Sequence, residues 1–367
     1  MSERVPLSII VITHERQLFA IDAVESVVRE RERYDGECEI ILVDSSQEPV
    51  SVPDEINHLH SPELISAAEK RNAGVNAADH EWVVFMDDDC VMAAKTLSAI
   101  ADGIKRASED VAGFVGVTKF DGPRSIWFDA MNGTDFTTDF EWAKDGGEVR
   151  WAPTSMAIFK KSAFLAVNGF DEEISAAGGE DVDLCIRLRQ TGLHLVGVPN
   201  AKAYHTTETW NTPSDNLHRV FRYGLAESKL MERYPDHILP ARLSKVTAGC
   251  TAGATGFLFA AGHLGPVTSA ASFLLLVMSW SLGKATIDYF RYPLSPVQAL
   301  VLTIYRFGYE TGSVYQKIRH GPRVNLLRRL DWWFGISDDT WFPNWTDGIR
   351  WLSLVFPLAF LFSQLIG

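Results

Sequence analysis

The sequence predicts an α/β front part built on a mostly parallel, doubly wound sheet, followed by a C-terminal helical transmembrane region. Three observations lead there. Short apolar runs alternate with helix-periodic stretches through residues 7–117, the pattern of a parallel sheet with crossover helices. Three segments nearly free of charge gather at the far end of the chain. Charge divides along the same line. Residues 1–240 hold 23 Lys+Arg against 41 Asp+Glu, a net of −18, whereas residues 241–367 hold 11 against 6, a net of +5. A chain of 367 residues also exceeds what one core usually supports, so two parts are expected, 1–240 and 241–367.

The elements follow in order. Leu7–Ile12 is an apolar run of strand length and too short for an export signal, so the front part is expected to stay in the cytosol. Residues 17–31 place Leu18, Ile21, Val24, Val27 and Val28 on one helical face. Glu39–Val43 is a second buried strand ending at Asp44. Residues 62–78 form an Ala-rich helix after Ser61-Pro62. Trp82–Met86 is a third strand and ends in Asp87-Asp88-Asp89. A helix over 94–107 and a strand over 112–117 complete the alternation. Residues 118–153, rich in aromatics and Gly, form a long excursion over whatever the sheet binds.

The back part is expected to lie in a membrane, with the front domain on the cytoplasmic side. Residues 247–264 and 267–283 carry no Asp, Glu, Lys or Arg and flank Gly265-Pro266, which suggests a hairpin of two spans. Gly249 and Gly253 form a GxxxG pair for close helix approach. A third span is expected over about 349–366. Residues 295–318, interrupted by Arg306 and Glu310, suit an interfacial helix. The basic cluster Lys317, Arg319, Arg323, Arg328 and Arg329 then faces the cytosol.

Composition removes several function classes. A front part at −18 lacks the basic face that nucleic acid needs. Four scattered cysteines, Cys38, Cys90, Cys185 and Cys250, give neither a zinc spacing nor a disulfide scaffold. What remains is chemistry at the sheet edge. In doubly wound sheets ligands bind beyond the carboxyl ends of the strands, and Thr13, Asp44 and Asp87–Asp89 fall there. Three adjacent carboxylates repel one another, and a divalent ion such as Mg²⁺ or Mn²⁺ relieves that. The plain alternative is a polar strand end.

From Ala68 to Asp89, reading AEKRNAGVNAADHEWVVFMDDD, the chain resembles the nucleotide-sugar site of family 2 glycosyltransferases, which have the GT-A fold. Leu7–Arg16 resembles their first strand and loop, and the matching motifs run over roughly 7–210. The resemblance implies a metal on Asp89, with Asp87 and Asp88 beside it, Asp44 on the nucleotide base, and Thr13, Arg71 and Asn72 near the nucleotide. Gly178–Leu188, reading GGEDVDLCIRL, resembles the family's Glu-Asp motif. By that match Asp181 is the general base and Glu180, Asp183 and Arg187 support it. The plain alternative is helix capping by carboxylates. His205 matches a C-terminal metal or diphosphate ligand. Trp151–Lys161, with Trp151 and Met156, resembles the sugar and acceptor pocket. Asn168 stands where the family often has a second Gly.

The expected activity is inverting transfer of a sugar from a nucleoside-diphosphate sugar. The expected acceptor is lipid-linked, of polyprenyl or dolichyl phosphate type, in protein glycosylation or surface-glycan assembly at the cell membrane. A polyprenyl-phosphate monosaccharide synthase and a non-catalytic membrane scaffold are the alternatives. A nucleotidyltransferase is disfavoured because Thr13–Arg16 has no Gly-rich phosphate loop.

Overall fold

The structure, a computed structural model, describes residues 5–175, 178–240, 253, 256, 262, 265–320 and 328–332. The elements of the first 210 residues are β1 (Leu7–Thr13), α1 (Gln17–Arg31), β2 (Cys38–Asp44), β3 (Asn57–His60), α2 (Ala67–Ala77), β4 (Trp82–Asp87), β5 (Cys90–Met92), α3 (Thr96–Lys105), β6 (Val111–Asp121), α4 (Ile126–Asp129), β7 (Gly147–Val149), β8 (Ala157–Lys160), α5 (Lys161–Ala166), α6 (Glu172–Ser175), α7 (Glu180–Gln190) and β9 (His194–Thr206). Further on come α8 (Pro213–Arg233), β10 (Ile238–Pro240), α9 (Gly265–Arg291), α10 (Pro296–His320) and β11 (Arg328–Leu330). Two compact units result. One holds the residues up to Arg124 and Asp135–Trp210, the other Ser125–Thr134 and the described residues from Asn211 onward.

The first unit is a single sheet in the order β3-β2-β1-β4-β8-β6-β9-β5, with β7 paired to β9. The half from β3 to β4 is parallel, as the alternation predicts. The other half is mixed, because β8 runs antiparallel to both β4 and β6, and β5 and β7 run antiparallel to β9. β1 is buried on both faces. Leu7, Ile9 and Val11 enter one core and Ile10 the other, which is the two-residue period of a covered strand. Each such side chain contributes about 1.5–3 kcal/mol on burial. The register sets Thr13 opposite Asp44 and Ile12 opposite Asp87, so three strand ends deliver their polar residues to one edge.

Local signals move some boundaries. The helix expected from 62 starts at Ala67, because Ser66 caps it. Ser66 Oγ accepts from Glu69 N–H and Glu69 returns to Ser66 N–H, a full capping box. Asn168 takes a left-handed φ of +64° and Gly169 one of +63°, so Asn serves where a second Gly was expected. A Cβ on Gly169 would lie 2.7 Å from Asn72 Oδ1.

The expected C-terminal transmembrane region is corrected. Among the described residues no helix is long and apolar enough to cross a membrane. The stretch 267–283 is not one limb of a hairpin after a turn, since Gly265-Pro266 opens α9, which continues to Arg291. Its later turns carry Lys284 and Asp288, both buried, and Lys284 Nζ lies 3.2 Å from Asp288 Oδ1. Arg306 Nε of α10 lies 3.2 Å from Asp288 Oδ2. An ion-paired helix–helix contact thus interrupts the apolar run. The helix expected over 295–318 forms as α10, and it packs on α8 and α9 through Ala299, Leu302 and Tyr305. The other two expected spans, 247–264 and 349–366, lie outside the described residues, save for isolated positions.

Candidate active site at the carboxyl edge of the sheet

All three residues of the Asp triplet are held by side chains from elsewhere. Asp87, at the end of β4, meets Arg71 of α2, Nη2 to Oδ1 at 3.0 Å. Asp88 accepts from Thr13 Oγ1 at 2.7 Å and from Arg16 Nη1 at 3.3 Å. Burial, and then the neighbouring Asp89, push the Asp88 carboxyl up to about 6. Asp89 accepts from Arg16 Nη1 at 3.2 Å and from Thr209 Oγ1 at 3.0 Å through the same oxygen.

The other oxygen of Asp89 faces His205 Nε2 at 3.2 Å. Sheet geometry makes this contact, because Cys90 and His205 are directly paired across β5 and β9. His205 Nδ1 lies 2.9 Å from the Thr206 carbonyl, which can only accept. In the neutral ring Nδ1 therefore carries the proton and Nε2 presents its lone pair on the side of Asp89. Ligand atoms of Asp89, Cys90 and His205 lie within 4.8 Å of one another. A carboxylate and an imidazole at this separation fit one cation with bonds of about 2.0–2.2 Å. Burial raises the Cys90 thiol well above its ordinary range, so it stays protonated and is the poorest donor of the three. Phe120, Phe140 and Trp210 surround the imidazole, with ring centroids 5.2, 6.2 and 5.9 Å from it.

Arg71 links this end to the second motif. Its Nη1 lies 2.8 Å from Glu180 Oε1, at the start of α7. Asp181 follows directly. Burial first, then the charge of Glu180, raise its carboxyl to about 8, against the Val182 N–H and Arg71, which lower it. Asp139, in the 3₁₀ turn Thr138–Asp145, also raises it. Burial lifts Asp139 itself to about 7. Asp183 is fully buried and receives Arg187 Nε at 2.8 Å, and Arg187 Nη2 donates to Gly169 O at 2.7 Å. This pair holds the 167–170 turn against α7.

Several residues predicted for the site have other duties. Asp44 is wholly buried, and its oxygens accept from Ser46 N–H at 2.9 Å, Val50 N–H at 2.7 Å and His58 Nε2 at 3.3 Å. Burial pushes its carboxyl up, but these donors outweigh burial and hold it below the usual range. It shapes the 45–50 loop from within. Asn72 pairs with Phe170 through both amide atoms, each at 2.9 Å. Met156 is buried and packs over Gly116. Trp151 meets Trp142 edge to face at 5.2 Å, and its buried Nε1 has no hydrogen-bond partner among the described residues.

Arg16, Lys70, Asp139 and Thr209 also stand at this edge or beside Asp181, and local sequence pattern does not mark them. Lys70 is buried, and its Nζ donates to Thr13 O at 3.3 Å and Ser45 Oγ at 3.1 Å. Burial lowers its pKa, against the attraction of Asp88. Its only signal is its position, one residue before Arg71 in a helix whose start lies at the edge. Arg16 lies in the short loop between β1 and α1, and its partners Asp88 and Asp89 are more than 70 positions away.

Residues 8–167 match Glycosyl transferase family 2, and residues 153–209 match the N-terminal domain of galactosyltransferase. The pre-mycofactocin glycosyltransferases of two Mycobacterium tuberculosis strains, CDC 1551 / Oshkosh and ATCC 25618 / H37Rv, are each 27% identical over 213 residues. The match covers 56% of this chain and 44% of those proteins, so the chain spans under half the length of these curated relatives. In fold the chain resembles the mannosyltransferase PcManGT from Pyrobaculum calidifontis, solved with GDP-Man and Mn²⁺. The TM-score is 0.56 at 16% identity, covering 86% of this chain and 89% of that one. The match to a family 2 glycosyltransferase domain runs over residues 8–167 of the 367.

Proposed function

We propose that the protein transfers a sugar from a nucleoside-diphosphate sugar to an acceptor hydroxyl, with inversion at the anomeric carbon. One observation carries this reading. Arg71 bridges Asp87 and Glu180, so one buried guanidinium ties the carboxylate end of the sheet to the helix that bears Asp181.

Asp89 and His205 would hold a divalent cation, Mg²⁺ or Mn²⁺, which offsets the charge that develops on the leaving diphosphate. Thr209 orients Asp89 for that duty. Asp181 takes the proton of the acceptor hydroxyl as the oxygen attacks. A carboxyl titrating near 8 is a stronger base than an ordinary aspartate and is matched to neutral-pH proton transfer. The Trp142–Trp151 pair and the aromatic ring set around His205 offer apolar faces of the kind a sugar ring packs on.

A base of this kind serves a hydroxyl, whereas a phosphate acceptor is already ionised. A lipid-linked acceptor of polyprenyl phosphate type rested on spanning helices, and none is described. The proposed acceptor group is therefore a hydroxyl, and the assay distinguishes the molecules that could carry it. The full chain is assayed with Mn²⁺ and a panel of UDP-, GDP- and dTDP-sugars, first for binding and hydrolysis. Transfer is then assayed to lipid-linked glycans and to pre-mycofactocin, the substrate in the relatives' name. Metal-dependent binding of one donor, lost in Asp89→Ala, is the expected result. Folded protein that binds no donor in the presence of metal overturns the reading and leaves a non-catalytic scaffold.

A further inference from the structure

Arg16 sits at the mouth of the site on a fixed backbone. Glu15 holds a left-handed φ of +54°. Its N–H donates to Ser46 Oγ at 2.8 Å, and its carboxylate accepts from Gln47 N–H at 2.8 Å. The Arg16 carbonyl accepts from Ala20 N–H at 3.0 Å, which anchors the start of α1. The side chain is different: it is long and 45% exposed.

That side chain reaches the two carboxylates nearest the metal position, at 3.3 Å to Asp88 and 3.2 Å to Asp89. The oxygen of Asp89 that it meets already accepts from Thr209, while the other faces His205. A guanidinium and a divalent cation therefore draw on the same small set of lone pairs. A guanidinium also has a planar fork of donors that matches phosphate oxygens. Lys70, the other cation beside Thr13, is buried and already placed on Thr13 O and Ser45 Oγ. Of the two, only Arg16 combines exposure with reach.

We propose that Arg16 is a donor-positioning residue that couples metal and nucleotide: its guanidinium shares Asp88 and Asp89 with the cation as a competitor, and turns to the diphosphate when both ligands arrive. This rests on the nucleotide-sugar reading of the edge. Coupling of this kind is reciprocal: nucleotide raises metal affinity by the factor by which metal raises nucleotide affinity.

The test is a Mn²⁺ titration of the full chain, with free Mn²⁺ read by electron paramagnetic resonance. It is run alone and with UDP, GDP or dTDP, on the wild type, Arg16→Ala and Arg16→Lys. Arg16→Ala should bind Mn²⁺ alone on the order of fivefold more tightly, and its gain from nucleotide should shrink by at least that factor. Arg16→Lys keeps the charge but loses the fork, so it should keep the competition and lose most of the nucleotide gain. Matching near-ultraviolet circular dichroism checks that all three proteins are folded. Wild type that binds nucleotide, beside an Arg16→Ala protein with unchanged Mn²⁺ affinity and unchanged gain, overturns the role of Arg16 and leaves the site reading intact. Wild type that binds no nucleotide with metal overturns the site reading, and this inference with it.

Discussion

Arg71 and Glu180 stand 109 positions apart and meet at 2.8 Å, both buried, while the same guanidinium reaches Asp87 at 3.0 Å. Its two arms use the planar fork that Lys lacks. Removing it leaves Glu180 buried and unpaired. Arg71→Ala should therefore lose about 3–5 kcal/mol of stability by urea unfolding. Arg71→Lys should be folded but should transfer sugar at least tenfold more slowly, because one ammonium cannot hold both carboxylates. In a double-mutant cycle with Glu180→Gln, the double variant should lose less than the sum of the two single losses. Additive losses would show that the strut does not form.

Asp181 carries a conflict between stability and chemistry. Its folded-state carboxyl titrates near 8, above the ordinary 3.8. Between those values the folded protein binds more protons than the unfolded chain, so stability falls as pH rises through that window. Asp181→Asn removes the conflict. It should bind donor and metal like wild type, transfer no sugar, and melt at a higher temperature than wild type at pH 8. The gain in melting temperature should fade toward pH 4. A variant that is less stable at pH 8 would refute the raised carboxyl.

Asp139 bears on the same proton. It is one of the groups that raise Asp181, together with burial and Glu180, while Arg71 and the Val182 N–H oppose them. Its neighbour Phe140 packs on His205, so one 3₁₀ turn touches both ends of the site. Asp139→Asn removes a negative charge near the base. The acidic limb of the transfer rate, which follows ionisation of Asp181, should then move to lower pH, with donor binding unchanged. A pH–rate profile at saturating donor reads this directly. An unmoved limb would separate Asp139 from the base.

The sheet was legible because its order is carried by local apolar runs. Leu7–Ile12, Glu39–Val43 and Trp82–Met86 each form strands where the run stands. The polar residues that end them, Thr13, Asp44 and Asp87, align because register follows from pairing. What local pattern cannot show is a partner far along the chain. Asp44 looked free at a strand end, and its oxygens are taken by the loop that follows and by His58 of β3. The antiparallel pairing of β5 with β9, which brings His205 to Asp89, joins residues more than 100 positions apart. The apolar stretch 267–283 misled for another reason, because its helix runs on past the uncharged residues to Arg291. Composition showed its lack of charge, but not the ion pair from Lys284 to Asp288 that follows within the same helix.

Close helix approach was expected at Gly249 and Gly253, and among the described residues it occurs where α8 meets α10. A Cβ on Gly224 would lie 1.9 Å from Tyr309 O, and one on Gly312 would lie 2.1 Å from Phe221 O. Both obstacles are backbone atoms, which no rotamer change can move. Gly308, one turn before Gly312, would meet the side chains of Val220 at 2.9 Å and Leu217 at 3.4 Å, with backbone no nearer than Leu217 O at 3.8 Å. Ala for Gly in a helix gains about 1 kcal/mol in propensity, whereas overpacking costs about 1–3 kcal/mol or more. Gly224→Ala and Gly312→Ala should therefore lower stability by urea unfolding, and Gly308→Ala should be close to neutral. The order carries the argument. If Gly312→Ala proves as stable as Gly308→Ala, the two backbones are not in contact, and the helices are held by side chains such as the Lys317–Glu227 pair instead.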